Sequence, residues 1–202
     1  MKFTLGTKQN MTQIFDEQGL VHPVTVVKTG PLTVTQIKTV ATDGYNAIQV
    51  GFGERKAKNI NKPLRGHIGK DSNFMHLYEF RTEGEPEVKV GDVIELPFAK
   101  GDLITVSSIS KGKGFQGVVK RHGFKGGPRS HGQKHSEREP GSIGGAGRDG
   151  GRVAKGKRMA GRMGSDRITG KGLTIVGVSK TGEVFVRGAI AGRKGTLVEI
   201  NG

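Results

Sequence analysis

The sequence predicts a mainly β protein, built as a closed antiparallel β-barrel with a small α-containing insertion and a long, largely irregular basic extension. Three observations lead to this prediction. Short segments rich in Val, Ile and Thr alternate with turn residues along much of the chain. Only 33% of the 202 residues are hydrophobic and 35 are Gly, so part of the chain contributes no core. Basic residues are concentrated in one Gly-rich window, residues 111–167.

Eight segments have the composition of strands, and two pairs of them flank a turn signal. They are LVHPVTVVKT (20–29), LTVTQIKTV (32–40), NAIQVGF (46–52), GDVIEL (91–96), DLITVSSIS (102–110), LTIVGVSK (173–180), EVFVRGAI (183–190) and TLVEI (196–200). Asp43-Gly44 favours a hairpin turn because both of its residues accept positive φ, and Thr181-Gly182 predicts a second hairpin. Short strands at this spacing are typical of a closed or nearly closed antiparallel barrel.

One stretch, about 54–75, has weaker strand character, and Pro63 suits the first turn of a short helix. It is therefore predicted to be a small insertion. The predicted domain plan assigns residues 1–110 and 168–202 to the barrel. Residues 111–167, called the arm below, are predicted to interrupt it.

The arm carries most of the net charge. The chain has a formal charge of +15, whereas residues 111–167 hold fifteen Lys and Arg against four Asp and Glu, a net charge of +11. Sixteen of the 35 Gly also lie there. Such uneven charge indicates a polyanionic partner. Because the arm has little apolar material to offset its ordering entropy, we expect it to order on that partner.

Gly and basic side chains together suit a folded RNA, because Gly lets the backbone approach phosphates closely while Arg and Lys bind them. The candidate RNA-binding residues are Lys111, Lys113, Lys120, Arg121, His122, Lys125, Arg129, His131, Lys134, Arg138, Arg148, Arg152, Lys155, Lys157, Arg158, Arg162 and Arg167. The candidate close-approach glycines are Gly112, Gly114, Gly117, Gly141, Gly144, Gly156, Gly161 and Gly164. Few aromatic residues are present, which favours recognition of RNA shape and backbone over a base-stacking platform.

Motifs for catalysis or cofactor binding are incomplete. GKGFQG (112–117) matches a dinucleotide-binding glycine pattern, but the glycines and proline that follow would break the required helix. GRVAKGKR (151–158) has Arg158 where a phosphate-binding loop needs Ser or Thr. His131 and His135 are four residues apart without a third ligand nearby, so we expect polar contacts to RNA instead of a metal. The sequence therefore predicts no catalytic residue, no metal, no cofactor and no small-molecule substrate.

Composition also bears on location. The chain has no Cys, which suits a reducing cytoplasm, and no apolar run long enough to span a membrane. Its first residues lack a secretory apolar core, so a cytoplasmic protein is expected.

Three alternatives to binding of a folded RNA by the arm remain open. They are a disordered basic segment that binds any polyanion, a nucleotide-dependent RNA-modifying factor using the 112–117 glycines, and a translation factor that cycles on and off the ribosome.

Several long strings resemble the bacterial large-subunit ribosomal protein L3 family, nearly from end to end. They are TLGTKQNMTQIFDEQG (4–19), VTVVKTGP (24–31), YNAIQVGFG (45–53), SISKGKGFQGVVKRHGFKGGPRSHG (108–132), PGSIG (140–144) and KGKRMAGRMG (155–164). The resemblance implies a β-barrel whose extension threads toward the peptidyl-transferase centre. It also implies a non-enzymatic protein that binds large-subunit rRNA directly, early in assembly, and touches neighbouring ribosomal proteins.

The chain departs from the family pattern in three places, one of which is Thr105, where the family usually has Asp or Asn. Asn10 stands where the family usually has Gly, which implies an Asn at positive φ. The stretch 144–151 has no Gln where bacterial members often carry a methylated one. The end of the arm, around 142–159, is therefore the part of the chain for which the resemblance implies least.

Overall fold

The computed structural model describes residues 2–69, 72–84, 86, 88–145 and 150–202. In chain order the elements are β1 (Phe3–Phe15), β2 (Val21–Thr29), β3 (Leu32–Lys38), α1 (Val40–Asp43), β4 (Ala47–Glu54), a 3-10 turn (Ala57–Asn59), α2 (Lys62–Ile68), β5 (Phe74–Arg81), β6 (Val93–Ile94), β7 (Leu103–Ile109), β8 (Phe115–Gln116), α3 (Val118–His122), β9 (Gly161–Arg162), β10 (Arg167–Val178), β11 (Glu183–Arg187) and β12 (Leu197–Asn201). The prediction of a mainly β, antiparallel protein is confirmed, and the helices of the described residues are few and short.

The chain divides into two compact units. The sheet unit comprises Met1–Ile109 and Arg167–Gly202, and the arm unit comprises Ser110–Asp166. No helix in the described part of the chain is both long and apolar enough to cross a bilayer.

Six strands of the sheet unit are hydrogen-bonded in a ring, in the order β1, β12, β7, β10, β11 and β2, with β2 pairing again with β1. Every pairing in the ring is antiparallel. The enclosed core is aliphatic and includes Val27, Val106, Ile175, Val198 and Ile200, each at most 3% exposed. The alternating Val and Ile of these strands thus place one apolar face toward a shared core.

The other strands form a separate four-stranded sheet in the order β5, β4, β3 and β6. The expectation that segments 32–40, 46–52 and 91–96 belong to one barrel with the rest was therefore wrong. They pack on a second core that includes Leu32, Val50 and Phe80, to which β1 contributes Phe3 and Leu5. Local strand composition cannot distinguish one sheet from two, because membership depends on which apolar faces meet.

Two strands of the sheet unit were missing from the sequence prediction. The first, β1, has thirteen residues, and its second half is largely exposed and held by pairing with β2. The second, β5, begins within the stretch assigned to the insertion and pairs only with β4 in the described sheet. Both strands depend on a partner strand more than on their own apolar pattern.

Both predicted hairpin turns connect paired strands. Gly44 has φ of 79° and ends the short helix α1 between β3 and β4, while Gly182 has φ of 78° between β10 and β11. The helix predicted at Pro63 is α2, with Pro63 in its first turn. Asn10, in contrast, does not have positive φ, since His131 and Ser165 are the non-Gly residues with positive φ in the described ranges. A register shift between Lys8 and Met11 accommodates Asn10 in β1 as a bulge.

Candidate nucleic-acid interface

The two ends of the arm unit are hydrogen-bonded to each other. The Ser110 amide donates to the Asp166 carbonyl at 2.9 Å, and the Asp166 amide donates to Ser110 Oγ at 3.2 Å. Further along, the Lys113 amide donates to Met163 O at 2.8 Å, and the Met163 amide donates to Gly114 O at 3.0 Å. The strands β8 and β9 continue this pairing. The base of the arm is therefore a short antiparallel ladder.

This ladder also includes residues of the glycine pattern at 112–117. Phe115 and Gln116, in the middle of the motif, form β8 and pair with Arg162 and Gly161. The helix that follows, α3, has five residues and ends at Gly123, whose φ is 70°. The motif residues are thus part of a ladder followed by a single short helical turn, which does not match a strand–loop–helix nucleotide site.

Arg121 and His122, at the end of α3, are used inside the arm unit. Arg121 Nη1 donates to Met159 O at 2.8 Å, and His122 Nε2 donates to the same carbonyl at 3.0 Å. Gly161 makes room for this contact, because a Cβ there would lie 2.6 Å from Arg121 Nη1. The two half-buried side chains connect α3 to the returning chain, with Val118 of the same helix 2% exposed.

A loop after α3 is folded back on itself. The Gly127 amide donates to Glu137 O at 2.8 Å, and Arg129 Nε donates to Glu137 Oε1 at 2.7 Å. Gly126 is required here, because a Cβ would lie 2.2 Å from Glu137 O. The loop surrounds a concavity of about 400 Å³ lined by Phe124, Lys125, Gly126, Gly127, Pro128, Gln133, Ser136, Glu139, Pro140 and Gly141.

Most of the candidate cations are on the surface of the arm unit. The exposed ones are Lys111, Lys113, Lys120, Lys125, Arg129, His131, Lys134, Arg138, Arg152, Lys155, Lys157, Arg158 and Arg162. Of these, Arg129 has the ion pair with Glu137, and Arg158 lies over the Phe124 ring with its Cζ 5.2 Å from the centroid. Arg148 lies outside the described residues. A cationic surface of this density, little neutralised within the described residues, can bind a phosphate backbone.

Arg167, the last of the candidate cations, is not part of the arm unit. It is the first residue of β10, in the sheet unit, and its guanidinium pairs with the buried carboxylate of Glu199. Arg167 Nη1 donates to Glu199 Oε1 at 2.8 Å and to Tyr78 Oη at 2.7 Å, and Nη2 also donates to Glu199. Tyr78 Oη in turn donates to Glu199 Oε2.

Burial raises the pKa of Tyr78, and its hydrogen bond to Glu199 acts in the same direction. The hydrogen bond to Tyr78 raises the pKa of Arg167, so this guanidinium stays charged. The three side chains join β5, β12 and β10. The sequence did not predict this network, because the three residues are far apart along the chain.

The eight candidate close-approach glycines fall into two groups. Gly112, Gly161 and Gly164 are packed against the chain itself, and a Cβ on Gly164 would lie 2.1 Å from Lys111 O. Gly114, Gly117, Gly141, Gly144 and Gly156 have open space at that position. Only the second group leaves room for an external surface to approach the backbone.

His131 and His135 are both exposed, and His131 has an unusual φ of 60°. Within the described ranges, no three His, Asp or Glu side chains are grouped so that they could hold a metal ion.

Comparisons with known proteins give one family. A model of the family described as "Ribosomal protein L3" matches residues 84–189. The chain is 51% identical to large ribosomal subunit protein uL3 of Roseiflexus sp. over 97% of its own length and 94% of that protein. Identity to uL3 of Nostoc punctiforme is 51% over the same shares, and to uL3 of Finegoldia magna 47% over 99% of the chain and 97% of that protein.

Proposed function

Because the chain belongs to the ribosomal protein L3 family, whose members are structural proteins of the large ribosomal subunit and not enzymes, we propose that it binds large-subunit rRNA directly through its arm. In this proposal it is a component of the cytoplasmic translating ribosome, with rRNA and neighbouring ribosomal proteins as partners. It helps to nucleate subunit assembly, and the arm extends toward the peptidyl-transferase centre.

The observation that carries the proposal is the concentration of exposed cations in the arm unit. Thirteen of the candidate basic residues there are exposed, while the sheet unit has the two compact cores. The internal contacts of Arg121, His122 and Glu137 hold the backbone in a defined path, so the cations are presented by a folded segment. This arrangement favours docking on a folded RNA over non-specific binding by a disordered segment.

The distribution of cores and exposed cations supports different roles for the two parts of the chain. We infer that the ring-bonded sheet closes as a barrel and that residues 1–110 with 168–202 are the scaffold, while 111–167 are the RNA-binding arm. Arg167 is the exception within that range, because its guanidinium is already bound by Glu199. We therefore assign Arg167 to the scaffold.

The test is the salt dependence of binding to a large-subunit rRNA transcript. If ~8 arm cations meet phosphates, log Kd against log salt has a slope of magnitude about 6, from roughly 0.7 per contact. The measurement is a filter-binding or fluorescence titration at several salt concentrations. A slope magnitude near ~1 contradicts the arm as an electrostatic anchor, since it corresponds to one or two phosphate contacts.

A further inference from the structure

The loop after α3 has features of a site for a single base, beyond the phosphate contacts proposed above. Its concavity of about 400 Å³ lies in the range of roughly 300–1,000 Å³ found for small-ligand sites. Phe124, Pro128 and Pro140 supply flat, apolar lining. Lys125 also lines the concavity and supplies a cation for the phosphate of a bound nucleotide.

The concavity is held open by its own frame. The carbonyl of Glu137 accepts the Gly127 amide, its carboxylate accepts Arg129 Nε, and Gly126 lets the two chain segments meet. Arg158 lies over the Phe124 ring, which fixes the aromatic side chain that lines the concavity. A preformed site costs less ordering free energy when the ligand enters.

Two polar side chains that line the concavity favour a ligand with N–H donors. Gln133 Nε2 donates to Ser136 Oγ, which leaves the Gln133 Oε1 acceptor without a partner in the described part of the chain. The carboxylate of Glu139 likewise has no ion pair with any described residue, although it stands in a strongly basic segment. Two unused acceptors select a ligand that offers N–H donors.

We propose that this concavity receives one unpaired nucleobase with an exocyclic amino group (adenine, cytosine or guanine), stacked on Phe124 and hydrogen-bonded to Gln133 and Glu139. Sequence-specific RNA recognition commonly uses bases that have left the stack and that pack on an aromatic side chain. Uracil is disfavoured because its single N3–H can serve only one of the two acceptors, whereas an amino group carries two N–H donors. The inference rests on the proposed rRNA binding and adds a point of base recognition to it.

The experiment is chemical footprinting of a large-subunit rRNA transcript bound by the full-length protein. Dimethyl sulfate reports unpaired adenine and cytosine, kethoxal reports guanine, and a carbodiimide reagent reports uracil. We expect the unaltered protein to protect one amino-bearing base, and we expect that base to become reactive when the Phe124→Leu variant is bound instead. The affinity of this variant for the transcript is expected to fall about tenfold. Phe124→Tyr retains the aromatic face and is expected to keep the protection.

The matched control is Phe115→Leu, which alters the exposed aromatic of β8 and is expected to leave that base protected. Gln133→Ala is expected to weaken protection without changing the salt slope. If Phe124→Leu protects the same bases as the unaltered protein, or if the base it releases is a uracil, the proposal is overturned while rRNA binding stands. A missing salt dependence in the unaltered protein would contradict the proposed function itself.

Discussion

At the scale of single residues, Arg167 shows that a cation within a basic window can be paired inside the fold. Sequence reasoning grouped it with fourteen other basic residues because it closes the same basic window. In the structure its guanidinium is bound to Glu199 and Tyr78, and the carboxylate it neutralises is only 9% exposed. The residue that explains this role, Glu199, is 32 positions away in sequence, so no local pattern could reveal it.

Replacing Arg167 by Met tests this role. The change leaves Glu199 without its cation, and we expect the free energy of unfolding to fall by about 2 kcal/mol, less than for a fully buried pair because Arg167 is half exposed. Urea denaturation at neutral pH measures it. The control is Arg162→Met, an exposed arm residue, for which a change of at most ~0.5 kcal/mol is expected. Equal effects of the two variants would contradict a special role for Arg167.

At the scale of elements, the sequence predicted well the strands with alternating Val and Ile, and it missed β1 and β5, which lack that alternation. The residues of β2, β7 and β11 carry an apolar face of their own, whereas half of β1 is exposed and depends on β2. The arm was predicted to be largely irregular, and its regular elements are indeed short. Its ladder could not be predicted, because the partners Phe115 and Arg162 are separated by most of the arm.

Gly164→Ala tests the ladder at the base of the arm. The new Cβ would meet Lys111 O at 2.1 Å, and φ of 77° adds about 1–2 kcal/mol of strain for a non-Gly residue. We expect faster hydrogen exchange at the Lys113 and Met163 amides, measured by NMR or mass spectrometry. Gly141→Ala has a similar φ of 74° but open space, and it isolates the strain from the clash. Unchanged exchange in Gly164→Ala would contradict the ladder.

At the scale of the whole molecule, we attribute stability to the sheet unit and propose binding for the arm. The aliphatic cores lie in the sheet unit, and most of the net charge of +15 lies in residues 111–167. The sequence revealed this division because composition and charge are summed over long windows and do not depend on the pairing of individual strands. It did not reveal the division of the strands into two sheets, which depends on long-range packing.

Deleting residues 141–165 tests the division of roles. The ring-bonded sheet lies outside the deleted segment, so we expect the protein to remain soluble and the sheet unit to unfold at a temperature close to that of the full chain. The salt slope should decrease because six Lys and Arg are removed. In cells, we expect impaired maturation of the large subunit, measured by sedimentation. Normal subunit maturation and peptide synthesis would contradict a function for this part of the arm.

The pairing of β7 with β10 affects how readily the arm can gain or lose residues during evolution. Ile109 and Arg167 are directly opposite each other in that ladder, so the points where the chain departs and returns are already neighbours in the sheet. Any segment joined there has its ends brought together by the scaffold, and doubling its length adds only about 0.6 kcal/mol of closure entropy. Insertions and deletions between these two positions are therefore expected to disturb folding little, and we expect the proposed RNA partner, and not the sheet, to limit the length of the arm.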